Sequence, residues 1–141
     1  MALPDRGFDY FEHTADVGIR AWGPTLDEAF AQAALGLVAN IVEVADAHAV
    51  GEAQVVIEAD SLDRLLFRFL EEILDVTQSR LWVIADVNVK IESETRLVAT
   101  LKGEAYEAAR HGHVHEVKAI TFHGLDVKRG PPAEVRVIVD I

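Results

Sequence analysis

Downstream of its last helical stretch the chain reads as four strands in succession: Leu81–Glu92, Arg96–Tyr106, Val114–Val127 and Glu134–Ile141. Turn signals separate them: Glu92-Ser93-Glu94-Thr95, the Arg110–His113 segment, and Arg129-Gly130-Pro131-Pro132. Strands joined by short turns pair antiparallel with one another, because a parallel pair needs a long crossover between its members. In Val83–Ile91 the residues Val83, Ala85, Val87, Val89 and Ile91 alternate with Asp86, Asn88 and Lys90 on the wet face. Glu134, Arg136 and Ile138 alternate with Val135, Val137 and Val139 in the same way.

Upstream, Phe8–His13, Val17–Trp22 and Gln54–Glu58 are further strand candidates. Two amphipathic helices fall between them. Thr25 and Glu28 make a T-x-x-E capping box, followed by Leu26, Ala29, Phe30, Ala33, Ala34, Leu37, Val38 and Ile41 at helical spacing. The second helix starts near Asp60 or Ser61 and ends near Ser79. Its stripe is Leu62, Leu65, Leu66, Phe69, Leu70, Ile73 and Leu74, with Glu71, Glu72 and Asp75 outward. The order β-β-α-β-α followed by four strands excludes a doubly wound dinucleotide fold, where helices alternate with strands. It predicts an α+β fold, a largely antiparallel sheet with both helices packed on it, in a single domain over residues 1–141.

Composition narrows the chemistry. There is no cysteine, so disulfides and thiolate metal sites are excluded and any metal is held by oxygen or imidazole. The net charge is −11, with eleven acids against two arginines in residues 1–60. Such a surface disfavours direct binding to nucleic acid and suits a basic protein partner or a hard cation. The first ten residues lack the charged and apolar regions of a signal peptide, and no apolar run is long enough for a membrane span. The expected location is the cytoplasm.

Four constellations carry possible chemistry. In Phe11-Glu12-His13-Thr14-Ala15-Asp16-Val17-Gly18, Asp16 is either a hard-oxygen ligand or the acceptor of a tight turn. At Val137-Ile138-Val139-Asp140-Ile141, the Asp140 side chain and the Ile141 α-carboxylate place two anions one residue apart, a natural cation site unless they form a solvated acidic end. Lys118, in Val117-Lys118-Ala119-Ile120-Thr121-Phe122-His123-Gly124, shares a strand face with Ile120 and Phe122, as an edge gatekeeper or a cation directed into a cleft. His111-x-His113-x-His115 could chelate if extended, but Gly112 favours a mobile surface loop. There is no P-loop, G-x-G-x-x-G, G-x-S-x-G, H-E-x-x-H or RNA-recognition signature. Those absences point away from a stand-alone enzyme.

Three of these blocks together resemble the archease family: Phe11–Ile19, Glu116–Leu125 and the terminal Val137–Ile141, spread over the whole chain. The resemblance implies an α+β fold and an accessory role, without catalysis of its own, beside the RtcB-type RNA ligase that joins tRNA halves after intron removal. There it implies faster ligase guanylylation and multiple turnover. It also implies a metal site built from Asp16, Asp140 and the carboxylate of Ile141. Calcium is the usual ion, and magnesium or manganese suits the same oxygens. His13, Lys118 and His123 lie in the matching blocks as candidates for partner contact. Arg110–His115 matches nothing in the family pattern. A chaperone or oligomerisation modulator of RNA-modification enzymes, such as a tRNA methyltransferase, is the competing expectation. A small metal-dependent hydrolase is another, without an evident nucleophile.

Overall fold

Thr25 and Ser61 sit in extended backbone, each one residue before a helix, and their hydroxyls accept from the Glu28 and Arg64 amides at 3.3 and 3.4 Å. These caps open α1 (Leu26–Ile41) and α2 (Leu62–Leu74) by satisfying amides that have no partner within the helix. At the first cap, the Glu28 carboxylate is engaged by Arg6 at 3.1 Å, rather than closing the box. Past Leu74, α2 widens into a π-helical turn over Asp75–Ser79, so the chain leaves the helix at Arg80. The computed structural model describes residues 4–13 and 16–141, His13 by its backbone alone.

The strands divide between two antiparallel sheets. The first takes the order β1 (Gly7–His13), β2 (Asp16–Gly23), β7 (Ala133–Asp140), β6 (Ala119–Lys128). The second takes the order β3 (Gly51–Glu58), β5 (Arg96–Ala105), β4 (Trp82–Ser93). Helix α1 packs against β2 of one sheet and β4 of the other, and α2 against β6 and β3. This explains why α1 is apolar beyond its stripe. Ala31 and Gly36 are buried too, and Gly36 lies against Phe8 and Ile19, where a Cβ would meet the Phe8 ring at 3.0 Å. Residues of both sheets and both helices join in one hydrophobic cluster.

On the outer face of the three-stranded sheet the cross-strand partners are charge-matched, Glu58 with Arg96 and Glu52 with Lys102. On its inner face Leu97, Ala99 and Leu101 are buried. The alternation expected along β4 fails at one place. Val83 and Ile84 are both inaccessible, because the register to β5 slips between Ile84 and Asp86.

The link between β5 and β6 is not the mobile surface loop that Gly112 suggests. Ala108–His111 makes one helical turn, α3, and His111 is wholly inaccessible. Its Nδ1 accepts from the Glu107 amide at 2.9 Å, so the ring proton sits on Nε2 and donates to Glu104 at 3.0 Å. Glu104 also accepts from Arg110 at 2.5 and 2.9 Å and from the His48 amide at 2.8 Å. An acid four-fold bonded at the end of β5 thus holds both this link and the loop before β3.

These contacts, the Arg110 guanidinium first among them, hold the Glu104 carboxyl down to about 2, against the opposing effect of burial. A carboxyl depressed in the folded state contributes stability that is complete above its unfolded value, near 4.5, and is lost as pH falls through about 2. Urea unfolding followed from pH 7 to pH 2 is therefore expected to lose stability below pH 4.5, and Glu104→Gln to flatten that slope.

Candidate metal centre at the end of the four-stranded sheet

Hydrogen-bond register brings the separated sequence blocks onto one rung. His13 on β1 opposes Asp16 on β2, Asp16 opposes Asp140 on β7, and Asp140 opposes Ala119 on β6. Directly opposed residues of an antiparallel pair present their side chains to the same face, a few ångströms apart. Asp16 and Asp140 are thus two carboxylates held side by side by the main chain, both half-buried, with Ile141 immediately beyond.

The rung has built supports. Gly18, two residues along β2, leaves room for the Phe11 ring, which any Cβ would strike, and Arg136 covers that ring with its guanidinium 5.2 Å from the centroid. The Lys118 amide donates to the Asp140 carbonyl at 2.7 Å, fixing the end of β7 just where the carboxylate projects. Lys118 itself is exposed beside the pair. The chain reaches that point under guidance from Gln78 in the π-helical turn. Its side-chain amide donates to the Val117 carbonyl and its carbonyl accepts the Val117 amide, both at 2.8 Å. Sequence reasoning missed Gln78, because a glutamine on a polar helix face carries no signal of its own. Ile141 opens onto a cavity of about 500 Å³ shared with Tyr10, Val17, Ala39, Asn40, His115 and Glu116.

Other expectations separate. Lys118, Ile120 and Phe122 do not share a face. Strand β6 begins only at Ala119, not at Val114, and between Thr121 and Asp126 five steps along β6 span two along β7. This wide bulge uses Gly124 at φ +72° and folds over Ile138, which is 5% exposed rather than on a wet face. Phe122 emerges at the surface against Phe67 and under Arg64. His123 lies exposed in the same bulge. The three alternating histidines part as well, His111 inward to Glu104 and His113 and His115 outward. The His13 side chain, Thr14 and Ala15 lie outside the described residues.

Among the described residues no three His, Asp or Glu side chains converge as a complete metal set. The donor chemistry present is a pair of aligned carboxylates. It suits a hard oxygen-seeking cation whose remaining positions are filled by a terminal carboxylate, water or oxygens of a second molecule. No helix among the described residues is long and apolar enough to cross a membrane.

The two antiparallel sheets with helices packed on them, and a carboxylate pair set across β2 and β7, define a small acidic α+β domain. Residues 8–141 match the model of the Archease protein family (MTH1598/TM1083). The archeases of Thermococcus gammatolerans and Pyrococcus furiosus are each 39% identical to it over 129 residues, covering 89% of this chain and 91% of theirs. The solution structure of protein 1598 from Methanobacterium thermoautotrophicum superposes with a TM-score of 0.78 at 29% identity, over 96% of this chain and 99% of that one. The crystal structure of a Thermotoga maritima archease, described as a possible chaperone, shares the fold with a TM-score of 0.56 at 20% identity, over 100% of this chain and 98% of its own. The chain belongs to the archease family.

Proposed function

We propose that this archease is a metal-binding accessory protein of an RtcB-type RNA ligase in tRNA splicing, raising ligase guanylylation and turnover without catalysing a reaction itself. The observation that carries the metal part is the opposition of Asp16 and Asp140 across β2 and β7. Like charges directly opposed in a sheet repel, and a cation between them reverses the sign of that interaction. Asp16, Asp140 and the Ile141 carboxylate would hold the ion, calcium by the family resemblance, with magnesium or manganese acceptable to the same oxygens. Such an ion supplies charge neutralisation at phosphate oxygens. The protein's own contribution is to hold two carboxylates rigidly at a sheet end and to present Lys118 beside them for a phosphate or a partner carboxylate. Its charge of −11 supports leaving RNA contact to the ligase.

The test is ligase guanylylation under multiple turnover with Asp16→Ala and Asp140→Ala. Both are expected to remove the stimulation while the circular dichroism spectrum stays that of the wild type. Undiminished stimulation by folded variants would sink the metal-cluster reading. If those variants also protect unrelated RNA-modification enzymes from aggregation, the chaperone reading takes its place. Residues appended after Ile141 are expected to weaken the effect by displacing its carboxylate.

A further inference from the structure

The two outer strands of the three-stranded sheet are treated differently by the rest of the chain. The Ala59 amide donates to the Thr95 carbonyl, which extends the β3–β5 register by one step and shows which residues of β3 bond inward. Ala53, Val55 and Ile57 spend their backbone groups on β5. Glu52, Gln54 and Val56 therefore aim theirs at the open edge. The same parity on β4 aims Val87, Val89 and Ile91 outward. Two of those three amides are stoppered by carboxylates, Ile91 by Asp27 at 2.9 Å and Val87 by Asp86 at 3.0 Å. On β3, among the described residues, no side chain covers the outward amides of Glu52, Gln54 or Val56, and only the Glu58 carbonyl is taken, by Arg68 at 3.2 Å.

The strand has no proline and no lysine, two of the usual devices against strand pairing, and its only charges are the acids Glu52 and Glu58. Gly51–Gln54 are exposed throughout, and Val56 is 50% exposed with Val50 at 78% just before the strand. We propose that β3 is a docking edge for an extended, basic segment of a partner protein, which adds to the sheet as a fourth strand beside β3.

Charge chooses the occupant. A second copy of this chain is disfavoured. Outward-facing residues pair only with outward-facing residues, so the two antiparallel registers of greatest overlap set Glu52 of one copy either directly opposite or diagonal to Glu58 of the other. Lys or Arg at alternate positions of an incoming strand would instead lie on the face of Glu52 and Glu58, their methylene stems covering Val56, while its β-branched residues lie on the opposite face beside Val55 and Ile57. The inference stands apart from the identity of the ligase, since it concerns a different edge from the carboxylate pair.

The probe is a soluble acetylated peptide of four Lys-Val repeats, titrated into the full chain by NMR. Binding is expected to slow hydrogen exchange at the Gln54 and Val56 amides, while Val55 and Ile57, bonded to β5 throughout, are protected in both states. Val56→Pro removes an outward amide and no bond to β5, so it is expected to fold and to bind about tenfold more weakly or worse. The same peptide N-methylated at alternate residues keeps its charge and is expected not to bind. Equal affinity for the N-methylated peptide or for Val56→Pro would reduce the effect to charge attraction and overturn strand addition. Equal binding of a Glu-Val peptide would overturn the basic partner. A wild-type dimer in sedimentation that Val56→Pro dissolves would overturn it in favour of self-pairing.

Discussion

Calcium at a hundredfold excess over its dissociation constant is expected to stabilise the wild-type protein by about 2.7 kcal/mol and Asp140→Asn by almost nothing. In chelator the order reverses. Without a cation, Asp16 and Asp140 repel across the rung, and neutralising one of them should raise stability by a few tenths of a kcal/mol to about 1 kcal/mol. The sign change separates a ligand pair from an ordinary acidic surface, where Asp140→Asn would behave alike with and without metal. Thermal unfolding in calcium and in chelator checks it, with Asp126→Asn, on the same sheet but off the rung, as a control expected to show no calcium dependence of its effect. A wild type that calcium leaves unmoved would remove the metal from the proposed function while leaving the accessory role to be judged by the ligase assay.

Phe69→Ala is expected to cost about 3–5 kcal/mol, a large part of the roughly 5–15 kcal/mol by which a domain of this kind is stable. Phe69 is inaccessible and stacks on Phe30 of α1, with ring centroids 6.5 Å apart and planes 17° from parallel. The two rings join the helices that both sheets pack on, so the site has little freedom to collapse around the missing ring. Phe67→Ala, whose ring meets Phe122 at the surface, is expected to cost much less. Urea unfolding gives both values. The comparison also bears on the bulge, since loss of Phe67 withdraws support from Phe122 and exposes the Phe122–Leu125 segment to faster exchange.

The local signals in this chain were legible wherever one residue's chemistry decides one element. The capping hydroxyl at Thr25, the two helical stripes and the alternation of β7 from Glu134 to Val137 all act over a few residues, and the structure realises them. Asp16 and Asp140 are legible as charged groups beside or at the end of apolar strands for the same reason. That they oppose one another was not legible, because 124 positions separate them and only the pairing of β2 with β7 closes that distance.

By itself, the sequence determined the element types, the α+β class, the absence of thiol chemistry and the acidic character that favours cations and basic partners. Tertiary structure alone decided that the strands form two sheets, that His111 is buried against Glu104, and that a bulge turns Phe122 and His123 outward. The reason is physical. Alternation says which face of a strand is buried, but strand partners are chosen by non-local hydrogen bonds and by what covers each face, and no periodicity within a strand records them. The aligned carboxylates at one sheet's end and the unstoppered amides of β3 exist only once those partners are chosen.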